Sequence, residues 1–321
     1  MKINRIITIY ALVILTFGCC LSPHSKNRNE QTIHPSPNNG NSYFISVPIT
    51  KLSSIQSPCV DVNIGDKLFS MELDLGFRGD LSLQSRFINQ ISPKTFIKTK
   101  PMYGIRGKKH LNNLYQIPKV KIGGMAFFES VLQEDSAEFV KNSVFVKNGG
   151  EPSAREPGRL GWEFFHATNL LIDIQNSTIA FCDSLDTLKQ QGYPIEEFID
   201  APLHIEQGLV ECIADTPEGP LRCMLDTGCT LNMLNSDIEE EKIARAFWDP
   251  EYDIDYAYFK IKNIDFGPQK FHRFPITLPI RIDAILGMDF FEEHLVFIDF
   301  SNEKIYFSKD HPMMMTTNDD Y

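Results

Sequence analysis

The sequence repeats itself. Leu160-Gly161-Trp162-Glu163-Phe164-Phe165 and Leu286-Gly287-Met288-Asp289-Phe290-Phe291 lie 126 residues apart, and the register holds without a gap to Phe181 and Phe307. Nine of those 22 positions are identical, more than chance gives an ungapped stretch of that length. Upstream, Ile117–Gly123 matches Ile261–Gly267 at an offset of 144, and Leu73-Asp74-Leu75-Gly76 matches Leu225-Asp226-Thr227-Gly228 at an offset of 152. The order is kept while the offset shrinks, so the second copy has lost residues at loops. The chain is one unit, duplicated, and the repeat fixes its architecture before any element is assigned.

Each copy reads as β-structure. Val60, Val62 and Ile64 alternate with polar residues, as do Phe69, Met71 and Leu73 before Asp74, a period of two that marks strands with one buried face. Gly65-Asp66-Lys67 between them is hairpin-turn chemistry. Leu221, Cys223 and Leu225 alternate in the same way and lead into Asp226. Helical signals are short, at Gln84–Ile91 and Asp237–Phe247. The expectation is an all-β, bilobal fold of two similar lobes, near 43–190 and 191–309, with few short helices. A net charge of −11 argues against a nucleic-acid partner, which needs a basic face.

An Asp-x-Gly triplet alone means little, and Asp265-Phe266-Gly267 is a third instance that aligns with a turn. Asp74 and Asp226 carry weight because each closes an apolar strand at an equivalent place in a duplicated unit. Each is followed downstream by an element read as apolar-apolar-Gly: Arg159-Leu160-Gly161 and Ile285-Leu286-Gly287. Two carboxylates a few ångströms apart cannot both ionise, so one proton is shared and the pair can act as base and acid at once. Two-fold related lobes would put both at the common seam. The histidines form no H-E-x-x-H pattern and no cluster, and no G-x-S-x-G is present, so neither a metal nor another cofactor is expected.

These motifs resemble those of the pepsin and retropepsin clan of aspartic proteases. Met224-Leu-Asp-Thr-Gly-Cys-Thr230 with Ala284-Ile-Leu-Gly287 fits the D-[TS]-G pattern and its downstream partner. Glu72-Leu-Asp-Leu-Gly-Phe-Arg-Gly-Asp-Leu-Ser-Leu83 looks like the bacterial retropepsin-like variant with one change. The resemblance covers roughly residues 55 to 309. It implies a catalytic pair, Asp74 and Asp226, active-site loops at Leu75-Gly76 and Thr227-Gly228, and a flap tip at Tyr103-Gly104. It also implies an endopeptidase that takes peptide or protein substrates. Leu75 stands where the family has threonine, which implies that Thr227 lacks its mate across the seam. A pseudoprotease that binds peptides in the interlobe groove is therefore the alternative. Phe77, which cannot donate, and Cys229, which donates poorly, stand beside the two aspartates and imply a pH optimum nearer 5–6 than 2.

The N-terminus carries a separate message. Lys2 and Arg5 precede an apolar run from Ile6 to Phe17, which is too short to span a membrane and the right length for a secretory signal. Leu15-Thr16-Phe17-Gly18-Cys19 resembles a bacterial lipobox, which makes residues 1–18 a signal peptide and Cys19 a lipidated anchor; plain secretion with cleavage near Gly18 and an uncleaved anchor are the other readings. Residues 19–42 are polar and rich in Pro, Asn and Ser, a flexible tether, and 310–321 form a tail. The protein is then exported and held at a membrane through its lipid. Labelling with a palmitate analogue is expected to mark the wild type and not Cys19→Ser, and equal labelling of the two would contradict the anchor.

Overall fold

The computed structural model describes residues 42–309 apart from the short segments 54–56, 104–108, 137–156, 207, 217–218, 239–244, 250–253, 263, 275 and 277–280. Cys19 and Gly104 lie outside the described residues. Each lobe forms an eight-stranded sheet, and a third sheet of six strands takes three from each lobe. Pro58–Ile64 buries Val60, Val62 and Ile64 while exposing Asp61 and Asn63, the alternation expected of a strand with one wet face. It pairs antiparallel with Lys67–Leu73 across a turn in which Gly65 adopts φ of +63°, a backbone state that glycine enters without steric penalty.

The repeat is visible as matched pairings. Lys67–Leu73 runs parallel to Gly158–Leu160, and Gly219–Leu225 runs parallel to Ala284–Leu286. Strands Asn169–Asp173 and Val296–Asp299 then pair antiparallel across the lobes, with Leu171 opposite Phe297. Those two residues are repeat counterparts, so the approximate two-fold axis passes through this pair. Beneath the sheet, Leu171, Ala180, Cys182, Leu188, Tyr193, Leu295 and Phe297 form a satellite core, while the main cluster runs through both lobes. The duplicated phenylalanines anchor it. Phe164 meets Phe165 edge-on at 5.3 Å and Phe290 meets Phe291 at 6.1 Å, a favoured aromatic geometry.

The helices are short. Ser85–Ile88 is shorter than the stretch 84–91 suggested by sequence. The expected helix from Asp237 to Phe247 is overturned at its far end, because Arg245–Asp249 is a strand. It pairs antiparallel with Ile254–Ile261 as the edge strand of its sheet, so the neighbouring strand supplies main-chain partners that local helix propensity does not weigh. The third Asp-x-Gly is a turn device: Gly267 N–H donates to Asp265 Oδ1 at 2.8 Å on the exposed surface, with Gly267 at φ of +74°. Cys59, Cys182, Cys212, Cys223 and Cys229 are buried free thiols, and Cys212 lies directly opposite Cys223 in its hairpin.

Trp162 links the lobes. Its Nε1–H donates to the carbonyl of Gly208 at 2.8 Å and its ring stacks on Phe300 at 6.5 Å. Its repeat counterpart is Met288, which has no donor. Trp162→Phe is expected to keep most of the packing and lose this bond, lowering the unfolding free energy by about 1–3 kcal/mol, measurable as a reduced urea midpoint.

Candidate active site

The two loops that follow the parallel strands are built alike. Asp74 N–H donates to Leu160 O at 2.9 Å and Asp226 N–H to Leu286 O at 3.0 Å; Phe77 N–H reaches Asp74 O at 3.0 Å and Cys229 N–H reaches Asp226 O at 3.1 Å. The Leu-Gly elements thread beneath these loops in close contact. A Cβ on Gly161 would lie 2.2 Å from Gly79 O, and one on Gly287 would lie 2.3 Å from Leu231 O. Both positions exclude any side chain. The element therefore ends in glycine in each copy.

The same closeness brings the two carboxylates together. A Cβ on Gly76 would sit 2.5 Å from Asp226 Cγ, and one on Gly228 would sit 2.6 Å from Asp74 Oδ1 and 3.1 Å from Asp226 Oδ1. Each glycine thus packs against the opposite carboxylate, and Asp74 and Asp226 are in hydrogen-bonding contact, almost wholly buried. Asp226 Oδ1 accepts the Gly228 N–H at 2.9 Å, while buried Oδ2 finds no protein donor. Burial, and then the Asp74 charge, push Asp226 well above the ordinary carboxylate range, against the pull of the Gly228 and Gly76 amides. Two facing acceptors of this kind hold one proton between them, and they titrate as a pair.

Thr227 does not lack partners. Its hydroxyl accepts the Leu75 N–H at 3.1 Å and donates to Leu73 O at 2.7 Å, both across the seam. The expectation that Leu75 would strand it is corrected: the partners are backbone groups, which a change of side chain at 75 leaves in place. What leucine removes is the mirror-image half of the lock, and its own side chain is fully buried there. Cys229 Sγ–H is turned to Leu231 O, and burial and the Asp226 charge keep the thiol protonated.

Arg159 is the residue that sequence reading missed. Counted with its apolar neighbours, it is a buried guanidinium whose Nη1 donates to Asp74 Oδ2 at 3.2 Å and whose Nη2 donates to Asp135 Oδ2 at 2.8 Å. Nε donates to Ser82 Oγ at 3.2 Å, and the group lies 4.3 Å over the Phe77 ring. Asp135 Oδ1 in turn accepts from Gln133 at 2.8 Å and Asn112 at 3.3 Å. Burial opposes the arginine charge, and Asp135 with Asp74 outweigh it, holding Arg159 above its usual value. The signal was available: Ile285, the repeat counterpart, is apolar, so the arginine breaks the symmetry of the repeat.

Tyr103 ends the strand Thr95–Tyr103, which pairs with Lys109–Ile122 in a long hairpin at the edge of its sheet; the tip between them lies outside the described residues. Among the described residues, no group of three or more His, Cys, Asp or Glu side chains is arranged to hold a metal ion.

Two outcomes follow from this geometry. Thr227→Val removes a hydroxyl that serves two buried backbone groups across the seam, and a loss of about 1–3 kcal/mol is expected in urea unfolding. Asp226 retains its proton in the fold after the unfolded chain has released it, above about pH 4. Its stabilising contribution is therefore complete below that point and is lost as pH rises through the folded value. Asp226→Asn should flatten this decline in a melting-temperature series from pH 4 upward.

No protein-family model matches the chain, and no curated protein matches it by sequence. Solved structures do resemble it. Basic 7S globulin from soybean superposes with a TM-score of 0.56 at 11% identity, covering 84% of this chain and 96% of that one. Conglutin gamma, a basic 7S globulin from lupine seeds, gives 0.56 at 12% identity with the same coverage. At that identity the likeness is one of fold alone: a two-lobed, duplicated β-architecture.

Proposed function

We propose that the chain is an aspartic endopeptidase that hydrolyses peptide bonds with water activated by Asp74 and Asp226. The observation that carries this reading is the meeting of the two carboxylates at the seam, each backed by the glycine of the opposite loop. In the resting pair Asp74 is the carboxylate and Asp226 carries the proton on Oδ2, its oxygen without a protein donor. Water attacks the scissile carbonyl carbon and gives a proton to Asp74 Oδ1, while Asp226 Oδ2–H protonates the carbonyl oxygen. The tetrahedral diol then collapses: Asp74 returns its proton to the departing nitrogen as the C–N bond breaks, and Asp226 recovers a proton from the diol. The products are an acid and an amine, and the pair returns to its starting state. No cofactor is required, and the substrate is an extended peptide in the groove.

The N-terminal lipid proposed for Cys19 would hold this enzyme at a membrane on the exported side. A second reading, a lipoprotein that binds peptides without cleaving them, is favoured by one observation: Asp74 Oδ2 is already engaged by a buried arginine. Such a module would add peptides to a sheet edge, and among the described residues Thr95–Tyr103 is the edge strand of its sheet.

Incubating the purified full-length chain with a peptide library separates the two. Cleavage is expected, with inhibition by a hydroxyl-bearing mimic of the tetrahedral intermediate. Asp74→Asn and Asp226→Asn should each lower kcat/KM by roughly 10²–10⁴-fold, the usual worth of general acid–base catalysis, with the fold retained. Near-normal turnover in either variant would remove the pair from the mechanism, and saturable peptide binding without cleavage in the wild type would favour the binding module.

A further inference from the structure

The ionic cluster beside Asp74 exists in one lobe, and the other lobe serves as its control. Glu72 is equivalent to Met224, because they pair with Arg159 and Ile285, the leading residues of the two threading elements. Ser82 faces Arg159 as Met233 faces Ile285. Asp135 lies opposite Gln84 as Phe274 lies opposite Asn235. Glu72, Ser82, Asp135 and Arg159 thus occupy the places that the second lobe gives to Met224, Met233, Phe274 and Ile285. Met224, Met233 and Ile285 are buried there, so apolar side chains fill three of the four places. Buried charges lose their hydration, and replacing a buried ionic group with well-packed apolar residues is often neutral or stabilising. Stability gives no reason for the charged set. Its contact with Asp74 Oδ2 does.

We propose that Arg159 is a positioning residue that breaks the symmetry of the carboxylate pair, fixing the negative charge on Asp74 and leaving the proton to Asp226. The role rests on the peptidase reading for its purpose, but the charge arrangement exists with or without turnover. By engaging Oδ2, Arg159 leaves Oδ1 as the atom that faces Gly228 and the opposite lobe. The guanidinium has little freedom to leave. Asp135 holds Nη2, Ser82 holds Nε, and the Phe77 ring covers its face. Asp135 is itself pinned by Gln133 and Asn112. Glu72 adds a further negative charge from the neighbouring strand, and His110 is buried two residues before Asn112 on the next hairpin. From the opposite lobe Asp74 faces Asp226, with the protonated Cys229 thiol behind it. Without the arginine, Asp74 would have no cation beside Oδ2 to hold its charge. With it, base and acid are assigned before substrate arrives.

The test uses the full-length chain in detergent, labelled with ¹³C-aspartate, with the Asp74 and Asp226 carboxyl signals assigned from the two Asp→Asn variants. Wild type is compared with Arg159→Lys and with the triple variant Glu72→Met/Asp135→Phe/Arg159→Ile, which gives these positions the residue types found at the equivalent places of the second lobe. Asp74 is expected to titrate about 1–3 pH units higher in the triple variant than in wild type, the size of effect an adjacent opposite charge has on a carboxyl. Arg159→Lys should fall between them. The acid limb of the kcat/KM profile should move up with the signal, whereas a merely structural arginine would lower activity without moving that limb. Should the triple variant fail to fold, Arg159→Gln, which keeps a donor but no charge, is expected to shift the same way. Identical Asp74 titration in wild type and the neutral variants, or a wild type in which Asp226 ionises first, overturns the proposal. Titration as expected without peptide cleavage would overturn the peptidase reading and leave this one standing.

Discussion

The seam is governed by how closely two glycine loops approach. Gly76 and Gly228 each lie against the carboxylate of the other lobe, nearer than any side chain would permit. Four further constraints share that origin. Gly161 and Gly287 must pass beneath the loops, so the threading elements end in glycine. Thr227 can reach the Leu75 N–H and the Leu73 carbonyl across the seam. The carboxylates meet, and once they meet in a buried place they cannot both be charged. The six-stranded sheet, joined through Leu171 and Phe297, sets the lobes at the spacing that makes this possible.

Two-fold symmetry is broken at that seam in two ways. Leucine at 75 leaves a single hydroxyl lock where a symmetric seam would have two, and burial of the leucine side chain offsets part of the loss through apolar area. Arginine at 159 introduces a charge on one side of the pair. The changes lie in the same lobe and on either side of the same aspartate, so Asp74 and Asp226 have different surroundings although each donates its N–H to a threading leucine and accepts from the residue three places on. Burial with the neighbouring charge raises Asp226, while Asp74 has a guanidinium beside it. Pairs of acids whose surroundings push them apart are the arrangement that general acid–base chemistry uses.

Much of this was legible in the chain. The internal repeat, the period-two alternation before each aspartate and the Leu-Gly elements are local patterns with one sensible fold, so all-β lobes and the equivalence of Asp74 with Asp226 followed from residues alone. The alternation of Val60, Val62 and Ile64 is such a pattern, because a strand imposes its own period on whichever side is buried. The failures occurred where contact, not period, decides. Arg245–Asp249 is a strand because a neighbouring edge is present for it to pair with, which no local propensity encodes.

The sequence by itself therefore determined the duplicated β-frame and which two aspartates stand at equivalent places, since both are properties of order along the chain. Tertiary structure decided what surrounds them. Arg159 lies 85 residues from Asp74 and Thr227 lies 152 residues from Leu75 along the chain, separations that sequence order does not convert into distance. Parallel pairing of strands brings the first together and packing of two lobes the second. The charge state of a buried group depends on such neighbours through short-range hydrogen bonds and lost hydration, so it is settled by the folded environment rather than by the residue's own identity.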